Sequence, residues 1–179
     1  MILKTKRLIL RPWDEADAES LYEFAKDPLV GPAAGWPAHT SLEDSRHILR
    51  EVLSAEGTYA VALKDDKKAN GCVGLKVGAQ SSLAAGDQEA EIGYWLGVPY
   101  WGRGLIPEAV TELIRYAFEE TDITTIWCAF FEGNEKSKRV QEKCGFQYHH
   151  TNQNRACPLL GSVRTEHVSC ITKDQWHKQ

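Results

Sequence analysis

Two glycines precede a predicted helix in the stretch YWGRGLIPEAV, residues 100–110. Gly102 and Gly104 can adopt backbone conformations that a Cβ atom disfavours, so the main chain can curl closely around a ligand. The first N–H groups of a helix lack partners within the helix and carry a partial positive charge. Pro107 can occupy the first turn without the loss of a hydrogen bond. The spacing predicts an anion site, for example for a pyrophosphate, although a ligand-free turn from strand to helix would use the same residues.

This segment, residues 101–106 and hereafter the glycine loop, matches neither of the two common nucleotide-binding motifs. A P-loop ends in Gly-Lys-Ser/Thr, and none follows Gly104. A dinucleotide fingerprint requires a third glycine, which is missing. The residue types therefore leave the ligand of the loop open.

Candidate bases lie upstream of the glycine loop. Glu91 lies on the strand that leads into it, and a carboxylate beside a cleft can accept a proton from an ammonium group. Period-two alternation places Glu89 on the same strand face as the competing candidate. Either carboxylate could equally be a solvated strand charge or a partner for a nearby arginine. His39 could act as a base near neutral pH, but the ordinary interpretation of a lone loop histidine is a solvated polar group.

A second helix opens with NEKS, residues 134–137, downstream of the glycine loop. Asn134 in the first turn is typical of a helix N-cap, and that role alone would explain it. Cys144 near the end of this helix has no histidine close to it in sequence. We therefore expect Cys144 to be a packing residue rather than a nucleophile.

These residues require a mixed set of elements to position them. Apolar alternation predicts strands over residues 7–13, 58–64, 71–78, 88–97, 124–131, 146–150 and 165–172. Helical periodicity and end signals predict helices over residues 14–27, 41–55, 107–120 and 134–145. We predict an α+β fold with about four helices and a mostly antiparallel sheet of about seven strands. One parallel pair near its centre diverges, and a ligand is expected there.

Two of the predicted helices have a clear apolar side. The helix over residues 107–120 has apolar residues at i, i+3, i+4, i+7 and i+8, which are Val110, Leu113, Ile114, Ala117 and Phe118. The helix over residues 41–55 begins with Ser-x-x-Asp, and its predicted buried side consists of Ile48, Leu49 and Val52. The predicted loop over residues 28–40 separates it from the first helix.

Composition and charge limit the classes of function. The 179 residues are 42% hydrophobic and 26% charged, which is typical of one soluble globular domain, here residues 1–179. With 21 basic and 25 acidic residues the net charge is −4, which argues against a nucleic-acid partner. The N-terminus is too polar for a signal peptide, and no apolar run approaches the roughly 18 residues of a membrane span. We expect no membrane partner.

The five cysteines indicate a reducing compartment. They form no CxxC pair and no short-range spacing with histidine that would suit a metal. Most lie in apolar or strand-like surroundings, where cysteine behaves as a small hydrophobic residue. The sequence therefore predicts a cytoplasmic protein without a metal cofactor.

Several stretches together resemble one known family, the GNAT superfamily of acetyl-CoA-dependent N-acetyltransferases. They are EIGYWLGVPYWGRGLIPEAV, FFEGNEKSKRVQEKCGF, TKRLILRPW, EDS and HVSCITKDQW. The sequence is most similar to the branch that acetylates ribosomal-protein N-termini, the RimJ/RimL type, and the resemblance spans nearly the whole chain. It implies a GNAT fold and direct transfer of acetyl from the cosubstrate acetyl-CoA to a primary amine, either a protein N-terminus or a small molecule.

The resemblance also implies where acetyl-CoA binds. The family pattern Q/R-x-x-G-x-G/A falls on the glycine loop, that is on Trp101, Gly102, Arg103, Gly104, Leu105 and Ile106. Trp101 replaces Gln/Arg, and Ile106 replaces a small residue. The family binds coenzyme A through loop amides, and it uses the strand backbone after a bulge, here near Tyr94, Trp95 and Leu96. These three residues would pair with the pantetheine and direct an N–H group toward the thioester oxygen.

Catalytic and acceptor residues follow from the same resemblance. Asn134 would bond near the thioester or pantetheine, and the Ser137 hydroxyl would protonate the thiolate, because the helix over residues 134–145 carries no tyrosine. Glu91 is the predicted catalytic base because of its place on the strand, and the resemblance does not assign it that role. Trp36 and His39 lie where the family places its acceptor. A catalytically inactive CoA-binding regulatory domain is the alternative, and the acceptor, the base and the choice between monomer and homodimer stay open.

Overall fold

A mixed sheet of eight strands runs through the structure, a computed structural model that describes residues 1–178. The strands are β1 (Leu3–Lys4), β2 (Leu8–Arg11), β3 (Thr58–Leu63), β4 (Ala69–Val77), β5 (Glu89–Leu96), β6 (Thr125–Phe131), β7 (Gln147–Cys157) and β8 (Ser162–Thr172). Their spatial order is β1-β2-β3-β4-β5-β6-β8-β7. Only β5 and β6 are parallel among the described strands, which confirms the prediction of one parallel pair. The additional strand is the two-residue β1.

Six α-helices accompany the sheet in the described residues. They are α1 (Ala18–Ala25), α2 (Gly31–Ala34), α3 (Leu42–Ile48), α4 (Leu105–Glu120), α5 (Glu135–Lys143) and α6 (Lys173–Trp176). The four longer helices correspond to the four predicted ones. The two additional helices are single turns, and α2 lies inside the segment that was predicted to be a loop.

The parallel pair is short, and beyond it the two strands diverge. Residues 89–91 of β5 pair with residues 125–127 of β6, after which β5 continues to Leu96 and β6 to Phe131 without further pairing to each other. We call the space between these two unpaired strand ends the strand gap. On its other edge β5 pairs with β4 in unbroken register from Ala90 to Leu96. No bulge therefore interrupts this pairing near residues 94–96, where one was expected. The gap opens because β5 and β6 diverge.

Each face of the sheet has its own apolar layer. On one face α4 buries all five residues of its predicted stripe completely, and it packs with Ile92 and Leu96 of β5. On the other face Trp13, Trp36 and Trp95 pack together with apolar residues of α1 and of the turns after α3. Successive β5 side chains thus enter different environments.

The helix α3 ends in a wider turn than the sequence predicts. Ser41 is its N-cap and accepts a hydrogen bond from the Asp44 N–H at 3.0 Å, as the Ser-x-x-Asp spacing indicated. A π-helical turn then covers Leu49–Leu53. The additional residue in this turn changes the phase of the helix, so Leu49 and Leu53 are buried while Val52 is 54% exposed. The prediction that Val52 is buried was wrong for this reason.

The last two strands form a long hairpin where an irregular stretch was expected. β7 extends to Cys157 and β8 begins at Ser162, with a short turn over Pro158–Leu160 between them. The polar sequence TNQNRA of β7 has no apolar alternation, and its side chains are exposed or half-buried. Backbone pairing with β8 holds this strand, which is why hydrophobic periodicity missed it. No helix among residues 1–178 has the length and apolar character needed to cross a membrane.

Candidate active site

The glycine loop presents its main chain to solvent. Gly102 and Gly104 both have left-handed backbone conformations, with φ of +74° and +70°. Gly104 is the N-cap of α4 and offers no side chain to cover the helix end. The side chains of Leu105 and Ile106 are buried in the core at 1% and 6% exposure. The large Ile106 is therefore accommodated by the core and does not crowd the loop, so the first amides of α4 can bind an anion.

Trp101 connects the glycine loop to the strand gap. Its indole Nε1 donates a hydrogen bond to the Leu96 carbonyl oxygen at 2.7 Å, at the end of β5. The Lys136 ammonium, in the first turn of α5, lies 3.8 Å from the centre of the Trp101 ring. The Arg103 guanidinium lies 5.6 Å from the centre of the Tyr100 ring. Two cationic groups thus border the loop, a favourable arrangement for a phosphorylated ligand, and sequence reasoning missed Lys136.

Backbone donors of β5 face the strand gap. The Gly97 N–H donates to the Asn70 carbonyl oxygen at 2.8 Å, which directs it toward β4. Because the direction of successive amides alternates along a strand, the N–H groups of Leu96 and Tyr94 point to the opposite edge, into the gap. The Trp95 amide points to β4, and its side chain belongs to the tryptophan cluster on the other sheet face. Of the three predicted backbone contacts, Tyr94 and Leu96 offer donors to the gap.

A tyrosine and a serine meet beside the gap. The Tyr94 hydroxyl lies 2.8 Å from the Ser137 Oγ and 3.1 Å from the Ser137 carbonyl oxygen. Burial raises the pKa of Tyr94 well above its usual value, an effect that the Ser137 hydrogen bond opposes. The sequence analysis considered a tyrosine acid only on α5 and did not consider the side chain of Tyr94 on β5. Period-two alternation could have indicated it, because it places Tyr94 on the same sheet face as Ile92, the face that the helices cover.

Asn134 links the start of α5 to the short helix α2. Its Oδ1 accepts a hydrogen bond from the Ser137 N–H at 3.2 Å, as expected of an N-cap. Its Nδ2 donates to the Ala33 carbonyl oxygen at 3.3 Å. Arg164 of β8 donates to the neighbouring Pro32 carbonyl oxygen at 2.6 Å. These two donors fix α2 beside the end of β6, a function that the sequence did not indicate.

Both candidate carboxylates lie on the sheet face opposite Tyr94. The Glu91 Oε2 accepts hydrogen bonds from the Ser81 hydroxyl at 2.8 Å and from the Ser82 N–H at 3.0 Å. The Glu89 Oε2 accepts from the Trp127 indole at 2.8 Å and from the Ala85 N–H at 3.1 Å. The structure therefore brings neither carboxylate to the Tyr94–Ser137 pair. Donors on the sheet face opposite this pair hold each carboxylate in place.

Trp36 and His39 lie on the same sheet face as the two carboxylates, opposite Tyr94. The Trp36 ring packs at 5.8 Å from Trp95 and at 5.3 Å from His39. His39 is 8% exposed, and its Nδ1 lies 2.8 Å from the Ser45 Oγ. Burial lowers the pKa of His39, although the Asp44 charge opposes this effect. The interpretation of His39 as a solvated loop residue was wrong, because α3 and the loop enclose it.

Open space separates Glu91 from Trp95 on this face. Gly93 lies between them, and a Cβ atom there would meet no other heavy atom within 4 Å. The surroundings are a carboxylate on one side and tryptophan rings on the other. Such surroundings suit an amine that carries an apolar or cationic group.

The remaining chemistry-bearing groups contribute packing. Cys144 is 2% exposed, and burial raises the pKa of its thiol to about 11. A thiol with this pKa is protonated near neutral pH, as expected for a packing residue. Across residues 1–178, no group of three or more His, Cys, Asp or Glu side chains is arranged to hold a metal ion.

Comparison with known proteins identifies close similarities in sequence and fold. The family model of the acetyltransferase (GNAT) domain matches residues 7–147. The uncharacterized N-acetyltransferase YoaA of Bacillus subtilis (strain 168) is 27% identical over 151 residues, which cover 82% of this chain and 82% of YoaA. Two solved structures share the fold across nearly the full length of each chain. A GNAT acetyltransferase from Bacillus anthracis gives a TM-score of 0.84 at 22% identity, with 97% of this chain and 99% of that chain covered. The ribosomal L7/L12 alpha-N-protein acetyltransferase RimL, in complex with coenzyme A, gives 0.78 at 20% identity, with 98% and 99% covered.

Proposed function

Because the chain belongs to the acetyltransferase (GNAT) domain family and is an acetyl-CoA-dependent acyltransferase, we propose that it transfers acetyl directly to a primary amine. The observation that carries this proposal is the strand gap between β5 and β6. It has the Tyr94–Ser137 pair on one face and the Glu91 and Trp36 side chains on the other. A thioester and an amine could approach each other from opposite faces of such a gap.

The donor acetyl-CoA supplies the activated acetyl group as a thioester. The glycine loop is proposed to bind its pyrophosphate through the amides of residues 103–106, since Pro107 has no N–H. The gap-facing amides of Tyr94 and Leu96 would bind the pantetheine and polarise the thioester carbonyl. Asn134 would act through its fixed position at the start of α5, where it orients Ser137.

Ser137 is the proposed acid for the leaving thiolate. The Tyr94 hydroxyl has one proton and lies within reach of two oxygens of Ser137. When Tyr94 donates to the Ser137 Oγ, the serine proton is free to move to the thiolate. The raised pKa of Tyr94 keeps the proton on the phenol. Tyr94 would therefore stabilise the seryl oxygen by a hydrogen bond and not by transfer of its proton. The seryl oxygen would regain its proton from the attacking nitrogen, which loses its second proton as the amide forms.

Glu91 is the proposed base on the acceptor face. Its Oε2 is held by the loop residues Ser81 and Ser82, whereas its Oε1 receives no hydrogen bond from residues 1–178. An ammonium group in the open space beside Gly93 could lose a proton to Oε1 directly or through a water molecule. Trp36 would line the site of the acceptor amine. The buried His39 would pack against Trp36 and hold its loop in place without contact with the amine.

The acceptor is proposed to be a protein N-terminus or a small-molecule amine. The likeness of the fold to RimL, whose substrate is the ribosomal protein L7/L12, supports the first kind. The net charge of −4 favours a cationic acceptor and disfavours nucleic acid. We further propose that residues 1–179 act as one cytoplasmic domain, as a monomer or homodimer, without a membrane partner.

A thiol-release assay tests the proposed function. Purified protein is mixed with acetyl-CoA and a panel of amines that includes N-terminal peptides, polyamines and aminoglycosides, and the appearance of free coenzyme A is measured. The proposal expects release that depends on one class of amine. Tight binding of acetyl-CoA without release for any amine would instead support an inactive CoA-binding domain.

A further inference from the structure

Arg7 contacts the glycine loop from a position 96 residues earlier in the chain. Its Nη1 donates a hydrogen bond to the Arg103 carbonyl oxygen at 2.9 Å, and its Nη2 donates to the Gly104 carbonyl oxygen at 3.2 Å. One guanidinium therefore binds two successive carbonyl groups of the loop. The proposed acetyl transfer gives the Arg7 side chain no role of its own.

Glu108 holds the Arg7 side chain in this orientation. The Glu108 carboxylate accepts hydrogen bonds from the Arg7 Nε at 2.6 Å, the Arg7 N–H at 2.8 Å and the Thr5 hydroxyl at 2.5 Å. Burial alone would raise the pKa of Glu108, but the hydrogen bonds from Thr5 and Arg7 outweigh it and lower the pKa. Glu108 is thus ionised at neutral pH and fixes the guanidinium from the first turn of α4.

The two contacts of Arg7, together with the first helical hydrogen bond from the Glu108 N–H to the Gly104 carbonyl oxygen at 3.3 Å, determine where the loop amides point. In a planar trans peptide the C=O of one residue and the N–H of the next point in opposite directions. Arg7 binds the carbonyls of Arg103 and Gly104 from one side, so the N–H groups of Gly104 and Leu105 face away from Arg7. The side that they face is the open side of the loop, where residues 102–104 are exposed.

We propose that Arg7 is a positioning residue for the donor: it holds the peptide units of residues 103–105 so that their amides converge on the pyrophosphate of acetyl-CoA. This inference rests on the proposed binding of acetyl-CoA at the glycine loop. It explains how a loop with two left-handed glycines keeps one shape before the ligand arrives, because glycine alone would leave several conformations open. A loop that is already ordered binds with a smaller entropic cost.

The test compares two acetyl donors in the Arg7→Met variant. Acetyl-CoA carries the pyrophosphate, whereas S-acetylpantetheine ends before it. Calorimetric titration gives the affinity for acetyl-CoA, and displacement of bound coenzyme A gives the affinity for S-acetylpantetheine. We expect Arg7→Met to weaken acetyl-CoA binding about tenfold or more, which corresponds to about 1.4 kcal/mol, and to leave S-acetylpantetheine binding unchanged. Neither measurement needs an acceptor, so an error in the proposed amine substrate would not affect it.

Arg115→Met is the matched control. Arg115 lies on the same helix as Glu108 and forms ion pairs with Glu112, Glu119 and Glu120, far from the loop. This variant should bind both donors as the wild type does. If Arg7→Met does not fold, Arg7→Lys keeps the charge but lacks the planar fork that binds Glu108 and both carbonyls at once, and it should show the same selective loss. An acetyl-CoA affinity within twofold of wild type, or an equal loss for both donors, would overturn the proposal.

Discussion

At the scale of single residues, the hydroxyl and carboxyl groups that we propose to transfer protons lie on opposite faces of the sheet. Tyr94 and Ser137 are within hydrogen-bond distance of each other although 43 residues separate them in sequence. Glu91 is on the other face, where serines of the loop after β4 hold it. In the proposed reaction the base would act on the acceptor from one face, and the acid would act on the leaving thiolate from the other.

Replacement of Ser137 by alanine should lower kcat far more than it raises KM for acetyl-CoA. General-acid catalysis contributes about 10²–10⁴-fold, so a loss in that range is expected from steady-state kinetics. Tyr94→Phe should reduce kcat about tenfold in the wild type and have no further effect in the Ser137→Ala background. Additive losses in the double variant would show that Tyr94 acts independently of Ser137.

Replacement of Glu91 by glutamine should reduce kcat/KM and remove the acidic limb of its pH profile. The reason is that the amide cannot take a proton from the acceptor ammonium, which an unperturbed lysine-like amine retains up to a pH of about 10.4. Glu89→Gln is the control, because Glu89 lies on the same face of β5. If Glu91→Gln keeps both rate and profile, Glu91 is structural and the proton leaves through water, Glu89 or His39.

At the scale of elements, the glycine loop and α4 form one unit. The helix begins at Leu105, two residues before its predicted start at Pro107, and Gly104 is its N-cap in a left-handed conformation. The conformation exposes the first amides, and hydrogen bonds connect the loop to Arg7, which directly precedes β2, and to Leu96 of β5. The conformation of the loop therefore depends on these contacts as much as on its own glycines.

Replacement of Gly104 by valine should abolish acetyl-CoA binding while the fold persists. A β-branched residue strongly disfavours φ of +70°, although its Cβ would have room, because the nearest atom, the Arg7 Nη2, lies at an ordinary contact distance of 3.7 Å. Calorimetric titration measures the affinity, and circular dichroism with thermal unfolding monitors the fold. Gly161→Val, at another exposed left-handed glycine in the turn between β7 and β8, is the control and should bind normally. Unchanged affinity in Gly104→Val would mean that the loop is only a turn.

At the scale of the whole molecule, burial of one histidine links stability to pH. The pKa of His39 in the folded state lies below its ordinary value of 6.5, because burial disfavours the charged imidazolium. As the pH falls, His39 therefore takes up a proton at a higher pH in the unfolded chain than in the folded protein. The stability associated with neutral His39 is fully present above pH 6.5 and is lost as the pH falls toward the lower folded-state pKa.

The free energy of unfolding should therefore decrease between about pH 7 and about pH 5.5, and less so in a His39→Gln variant. Urea titration at both pH values measures this difference. The exposed His177 provides the control, since His177→Gln should retain the wild-type dependence. A His39→Gln variant with the same slope as the wild type would place the pH dependence elsewhere.

Local sequence patterns determined much of the fold. Three features depend on spacings of a few residues, which the sequence displays directly: the apolar stripe of α4, the N-cap residues Ser41 and Asn134, and the glycines before α4. The single parallel pair near the centre of the sheet was also predicted. The π-helical turn at Leu49–Leu53 and the polar hairpin of β7 escaped prediction, because backbone hydrogen bonds rather than apolar periodicity define them.

Only the tertiary structure decided which side chains meet. The contacts of Tyr94 with Ser137, of Asn134 with Ala33 and of Arg7 with the glycine loop join segments between 43 and 101 residues apart, and no local pattern encodes them. The face on which Glu91 lies was predictable by alternation, but its serine partners were not. Spacing along the chain determines the conformation of each element, whereas packing of the elements against the sheet determines the distances on which chemistry depends.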